Sequence, residues 1–296
     1  MNLSSYIGHQ WSRVRIPLLL QENKEKKDFM RAFFNTVRLI AGVTALTVIG
    51  VSCSVKENRV PCPCYLNVSF RERESIHEEV GILAWSDAEV FRSSIPDVQK
   101  YDPYWVKTVR KGEFDLSAWK GAFSNTADGT RLLIKKGEQC DPLYAYFTPV
   151  DATGEMAYAD VDFKKQYATI TVDICKKAEE MRDFEFKVTS NTCGFDLFTF
   201  APVPGDFEFY PIPEAGERVF SFRAPRQIDN SMSLQMWYRG VTAGIYPLGE
   251  YIHRVGYDWK TEELKDVRIL IDLVIGQVTI AVEGWESGAV FQLIKQ

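Results

Sequence analysis

Apolar and polar residues alternate with a period of two through much of the chain, which places alternate side chains on one face of a strand. "YLNVSF" puts Leu66, Val68 and Phe70 on one side, and "ATITVDI" sets Ala168, Ile170, Val172 and Ile174 against Thr169, Thr171 and Asp173. "DFEFKV", "VRILIDLVI" and "VTIAVEGW" repeat the pattern with Phe184, Phe186 and Val188, with Val267 to Ile275, and with Val278, Ile280 and Val282. Turn-forming residues separate these runs in "TSNTCG", "PVPGD", "PIPEAGE", "VIGQ" and "EGWESG". Strands at such spacing, with few long helical patterns, predict an all-β protein of β-sandwich type. Gly276-Gln277, bracketed by Ile275 and Val278, predicts a two-residue II′ hairpin turn. The stretch Ser75–Phe123 has no sustained period and predicts short strands and long loops. A boundary is expected near residue 165, where the polar "DFKKQY" precedes the "ATITVDI" strand. It divides the chain into an N-terminal sandwich (65–165) and a C-terminal one (166–296).

Ahead of the strands lies an apolar run, Leu39–Ser52, of 14 residues. A membrane-spanning helix needs about 20, whereas the apolar core of a secretory signal has about 7–15. "MRAFFNTVR" before it supplies Met30 and two positive charges, Arg31 and Arg38, with no acid. The expected organisation is an upstream extension that is not part of the translated protein (1–29), a signal peptide (30–52) and a tether (53–64). The competing reading keeps Met1 and makes Leu39–Ser52 a short membrane anchor. The run ends in Val51-Ser52-Cys53, small residues before a cysteine, as a lipoprotein signal peptidase requires. Cys53 is therefore the expected lipidation site and new N-terminus, although Gly50 stands where leucine is usual. Two or three acyl chains, at about 0.8 kcal/mol per buried CH₂, hold a protein durably on a bilayer.

Residues 1–52 carry seven of the 35 Lys/Arg and three of the 40 Asp/Glu, so a chain starting at Cys53 has 28 basic and 37 acidic residues, net −9. Such a chain is a poor ligand for nucleic acid or an anionic surface by charge alone. Five cysteines follow Cys53: Cys62, Cys64, Cys140, Cys175 and Cys193. Their spacing suits no zinc site. Export permits disulfides, and Cys175 and Cys193 flank two strand-like runs that a bridge could join; otherwise they are small buried apolar residues.

Chemistry-bearing constellations are scarce. Only His77 and His253 follow Cys53, and no HExxH, GxSxG, P-loop or GxGxxG pattern occurs. Asp160-x-Asp162 could face a cation, and Asp258 with Glu262 or Glu263 could form an acid–base pair, but each reads more simply as solvated surface or a turn. Trp85, Trp105, Trp119, Trp237, Trp259 and Trp285 could stack on sugars or pack cores. No enzyme and no cofactor is expected.

"SCSVKENRVPCPCYLNVSF", "YPLGEYI", "GYDW", "DVRILID" and "VTIAVEGWE" resemble segments of the fimbrial anchor subunits of Bacteroidales, the minor fimbrial proteins of the FimB type. "TCGFDLFTFAPVPGDF" resembles the middle of that family's second domain, while Leu83–Phe123 has no clear counterpart. The resemblance implies two tandem transthyretin-like, Greek-key β-sandwich domains. It also implies a lipid-held position in the outer membrane, at the base of a type V pilus and at the cell surface, with a fimbrial stalk subunit as partner. In such pili stalk subunits lose their first strand to an Arg-specific protease, and a neighbour's C-terminal strand fills the gap by β-strand addition. A base subunit is expected to retain that strand, here Leu66, Val68 and Phe70, because cutting it would release the lipid. Arg59, Arg71 and Arg73 flank it. The C-terminal run Val290, Phe291, Gln292, Leu293 and Ile294 is the candidate partner-contact strand, or else the last strand of its own domain. Alternative readings are a tip or stalk subunit, and a surface lipoprotein that binds glycan or host protein.

Overall fold

The computed structural model describes residues 62–87, 89–124, 126–175, 181–213, 218–274, 276–284 and 289–292, all within one compact unit, Val60–Gln296. The expected upstream extension, signal peptide and Cys53 lie outside the described residues, as do Arg59, Trp285, Leu293 and Ile294. In chain order the first half contains β1 (Cys64–Phe70), β2 (Val80–Trp85), β3 (Val90–Ile95), β4 (Trp105–Val109), β5 (Glu113–Lys120), β6 (Thr126–Asp128), β7 (Arg131–Leu133), β8 (Tyr144–Asp151), β9 (Met156–Val161) and β10 (Lys164–Lys165). The second half contains β11 (Tyr167–Ile174), β12 (Phe184–Asp196), β13 (Ala201–Phe209), β14 (Val219–Pro225), β15 (Ser233–Tyr238), β16 (Val241–Tyr246), β17 (Val267–Asp272), β18 (Gln277–Val282) and β19 (Ala289–Gln292), and a short helix, α1 (Leu248–Arg254).

The described strands form four sheets in an all-β architecture. A three-stranded sheet, β4-β1-β9, and a five-stranded sheet, β10-β8-β5-β2-β3, enclose a core of Leu66, Val68, Ile82, Leu116 and Ala159 among others. A five-stranded sheet, β14-β11-β17-β18-β19, and a six-stranded one, β16-β15-β12-β7-β6 with β13 on β12, enclose a larger core around Ile170, Val172, Phe222 and Ile269. β1 and β11 each sit between an antiparallel and a parallel neighbour: β1 between β4 and β9, β11 between β14 and β17.

The sandwiches are joined by a third core of Leu83, Trp85, Trp119, Leu132, Phe195 and Leu197. It explains why Ser75–Phe123 looks irregular. All six residues of β2 are buried, because Val80, Ile82 and Ala84 face one core while Leu83 and Trp85 face another. A strand buried on both faces loses its alternation. Gly81 pairs with Trp119 across the sheet, and a Cβ there would lie 2.2 Å from the indole ring. The chain also crosses between the sandwiches at 126–140. β7 pairs with β12 through Leu132–Phe195, and the Ile134 N–H and Cys140 N–H donate to the Cys193 and Arg223 carbonyls. Only then does β8 return to the first sandwich.

Three expectations are corrected. "TSNTCG" is not a turn but the irregular half of the 13-residue β12, with register shifts between Ser190 and Thr192 and between Thr192 and Gly194. "PVPGD" lies within β13, whose one strand partner among the described strands is β12, and so it tolerates two prolines without N–H groups. The hairpin of β17 and β18 exists, but Asp272 pairs with Gln277, so the connection is the four residues 273–276 rather than Gly276-Gln277. Gly276 takes φ +70° as the last loop residue, and Asp272 Oδ1 accepts the Val274 N–H at 2.9 Å.

Candidate assembly interface

β1 is the middle strand of its sheet. Leu66 and Val68 are essentially inaccessible, and Phe70 is buried and stacks on Phe163 with ring centroids 6.3 Å apart. The three residues named from alternation thus point into the core. Tyr65 pairs with Thr108 on one side and Met156 on the other, and the ladder continues to Val68–Trp105 and Phe70–Val161. Asn67, buried although polar, donates its side-chain amide to the Tyr65 and Ala157 carbonyls at 2.8 and 3.2 Å. Removing β1 would strip hydrogen bonds from both neighbours and open an apolar groove between β4 and β9.

The arginines after β1 are tied to that sheet. Arg71 donates to Asp160 at 2.9 Å and to Asp162 at 3.0 Å, and its N–H bonds the Val161 carbonyl at 2.9 Å. The hydrogen bond to Asp160, reinforced by its charge and that of Asp162, raises the guanidinium pKa. Asp162 also accepts from Lys164 at 2.8 Å, and chiefly that bond holds its carboxyl below the usual range. The Asp160-x-Asp162 pair therefore holds an arginine and a lysine. Arg73 bonds the Tyr101 carbonyl and Asp102, each at 2.9 Å. Cys62 is exposed at the approach to β1; Cys64 is buried, and burial raises its thiol pKa.

In the second sandwich β19 pairs antiparallel with β18, from Gln277–Gln292 to Ile280–Ala289, and forms an edge of its sheet. Val290 is exposed. Backbone groups on the outer side of such an edge can receive a further strand. Cys175 and Cys193 are free thiols. Cys175 follows β11 in one sheet, whereas Cys193 lies in β12 of the other and directs its Sγ to the Pro204 carbonyl at 3.5 Å.

The remaining sequence candidates resolve into packing. Trp85, Trp105, Trp119 and Trp259 are buried, and Trp237 is half-buried. Asp258 Oδ1 accepts the Lys260 N–H at 2.8 Å within a loop, and Glu263 lies 3.8 Å from Lys265. That loop is held by Arg226, which donates to the Thr261 and Glu262 carbonyls and to Gln166 Oε1. Among the described residues no group of three or more His, Cys, Asp or Glu side chains is placed to hold a metal, and no helix is long and apolar enough to cross a membrane. A cavity of about 560 Å³ opens where the sandwiches meet, lined among others by Tyr146, Phe147, Phe200, Arg226 and Trp259.

Sequence patterning missed the strands that flank β1. β9 does alternate, but its buried side is Ala157, Ala159 and Val161, while Met156 and Tyr158 face out. The large apolar residues are therefore on the wrong side for a hydrophobicity pattern. The available signal was the large–small alternation of "MAYA".

No family model and no curated protein matches the chain. Several solved structures share the fold. A Bacteroides thetaiotaomicron protein, provisionally named as polysaccharide-binding, is 12% identical, with a TM-score of 0.57 over 78% of this chain and 98% of its own. The fimbrial anchor protein Mfa2 of Porphyromonas gingivalis is 13% identical, with a TM-score of 0.53 over 76% and 98%. A provisionally named adhesin of Bacteroides ovatus is 11% identical, with a TM-score of 0.54 over 77% and 96%. The fold is thus related to those of Bacteroidales fimbrial and adhesin proteins.

Proposed function

We propose that this protein is a non-catalytic base subunit of a surface fimbria, held in the outer membrane by lipid on Cys53. The observation that carries the reading is the placement of β1. It completes its own sandwich from the middle of a sheet, and it begins only eleven positions after Cys53. A base subunit must keep this strand, since the strand links the lipid to the folded body. Arg71 and Arg73, the described basic residues at its exit, are engaged by Asp160, Asp162 and Asp102, which disfavours entry of either into a protease site. The likeness to a fimbrial anchor protein supports the same role and a surface location.

In this reading the chain forms two transthyretin-like domains, divided near residue 165, and meets the stalk subunit by β-strand addition at the C-terminal edge. The β19 strand and the residues after it, Leu293 and Ile294, supply the contact. Cys53→Ser tests the role: filaments should assemble but be shed into the medium. Filaments as firmly rooted as those of the unmodified protein would overturn it. The second reading, a surface lipoprotein that binds glycan, is favoured by the likeness to the provisionally named polysaccharide-binding protein and by the aromatic cavity between the sandwiches. A glycan array probed with the soluble unit distinguishes the two.

A further inference from the structure

The outer face of the β4-β1-β9 sheet is unusual in what it shows to solvent. Tyr65, Tyr104, Val106, Met156 and Tyr158 are all exposed. Strand register brings them together: Tyr65 lies beside Met156, Asn67 lies between Val106 and Tyr158, and the Tyr104 and Tyr158 rings meet edge-on at 5.6 Å. Five large side chains on one sheet face form a contiguous patch, whereas scattered exposed apolar residues are ordinary.

The patch reaches the start of β1. Tyr65 and Met156 lie at that end, Val106 and Tyr158 flank Asn67 at mid-strand, and Tyr104, one residue before the Trp105 that pairs with Val68, lies further along. Further along β1 the outward residues become Ser69 and Arg71, bonded to Asp160 and Asp162. Along β1 and β9 the face therefore changes from Tyr65, Met156 and Tyr158 to ion-paired side chains, while Tyr104 continues the aromatic side on β4. Only nine residue-to-residue steps separate Cys53 from the first described residue, Cys62. Even fully extended they span at most about 3.6 Å each, roughly 32 Å. A lipid on Cys53 keeps the Tyr65–Met156 end of the face within reach of the bilayer surface. Tyrosine, with an apolar ring and a polar tip, is suited to the membrane–water interface.

We infer that this face is a membrane-contact surface. Tyr65, Met156 and Tyr158, with Tyr104 and Val106 beside them, rest in the headgroup region of the bilayer that holds the lipid anchor. The contact turns a single-point attachment into an oriented base and rests on the anchor reading above. Its chemistry is interfacial and apolar, in keeping with an acidic chain, so neutral lipids suffice.

Hydroxyl-radical footprinting tests it. The acylated full-length chain is reconstituted in phosphatidylcholine–phosphatidylethanolamine vesicles and compared with the Cys53→Ser chain free in solution. Labelling of Tyr65, Met156 and Tyr158 should fall at least threefold on vesicles, while the exposed Tyr210 and Tyr238 of the second sandwich label equally in both. A Tyr65→Ser/Tyr158→Ser variant should stay attached yet regain solution-level labelling at Met156. Vesicle-bound protein whose patch labels as in solution overturns the contact and leaves the anchor intact. If Cys53 carries no lipid, the anchor reading fails, and the contact is tested by coupling the Cys53→Ser chain through the exposed Cys62 to maleimide lipid in the same vesicles. Protection there supports the surface, and its absence overturns it.

Discussion

Leu66→Ala in β1 measures whether the first strand is an integral part of the fold. Leu66 is 1% exposed within the core it shares with Ile82 and Leu116, and its lateral neighbours in register are Lys107 and Ala157. Truncating such a leucine costs the lost transfer energy plus a cavity term, about 3–4 kcal/mol within the 2.7–5.0 range known for buried sites. That is a large share of the roughly 5–15 kcal/mol that holds a domain together. For a unit of this size it should lower the melting temperature by about 6–16 °C, at about 2–4 °C per kcal/mol. Tyr65→Ala, one position away on the exposed face, should change stability by no more than about 0.5 kcal/mol. Urea unfolding followed by tryptophan fluorescence reads both variants. Equal, small effects at positions 65 and 66 would mean that β1 is dispensable, as in a subunit built to lose it, and would refute the reasoning from burial.

Other positions give independent checks. Gly194→Ala places a Cβ 2.3 Å from the Leu132 carbonyl oxygen, against backbone that cannot yield; it should weaken the β7–β12 junction by about 1–3 kcal/mol, read by calorimetry. Asp196 is buried, which alone would raise its pKa, but bonds from the Phe198 N–H and Thr130 hydroxyl outweigh burial and leave it lowered. Its contribution is therefore present above the unfolded value of about 3.9 and lost as pH falls through the folded one, so the wild-type advantage over Asp196→Asn should shrink below about pH 4. Burial pushes the Cys140 thiol up to about 12, so a maleimide at pH 7.5 should label Cys62 and leave Cys140 unmodified until the protein is denatured.

How far sequence patterning reached depended on what each strand face meets. β11 was readable because one side, Ala168 to Ile174, enters a core and the other carries threonines. β1 was readable for the same reason. β2 was not, since both its faces are buried, and β9 was not, since alanines point inward and Tyr158 points out. β12 and β13 were broken into false turns by a polar run and by prolines that a peripheral strand can carry. The pairing of β1 with β9 joins residues about ninety positions apart, such as Tyr65 and Met156, in parallel, and no local signal encodes it. The core-facing side of the candidate site was thus visible in the sequence, whereas the strands that form its groove, the salt bridges on Arg71 and the tyrosine face were not.

Intact-mass and tandem mass spectrometry of the protein extracted from membranes with detergent tests the anchoring claim most directly. The expected product begins at Cys53, bears diacylglycerol and an N-acyl chain on that residue, and keeps Leu66, Val68 and Phe70 in the same polypeptide as Val290. A mature chain that starts after Arg59, Arg71 or Arg73, or one that starts upstream with an unmodified Cys53, would contradict it.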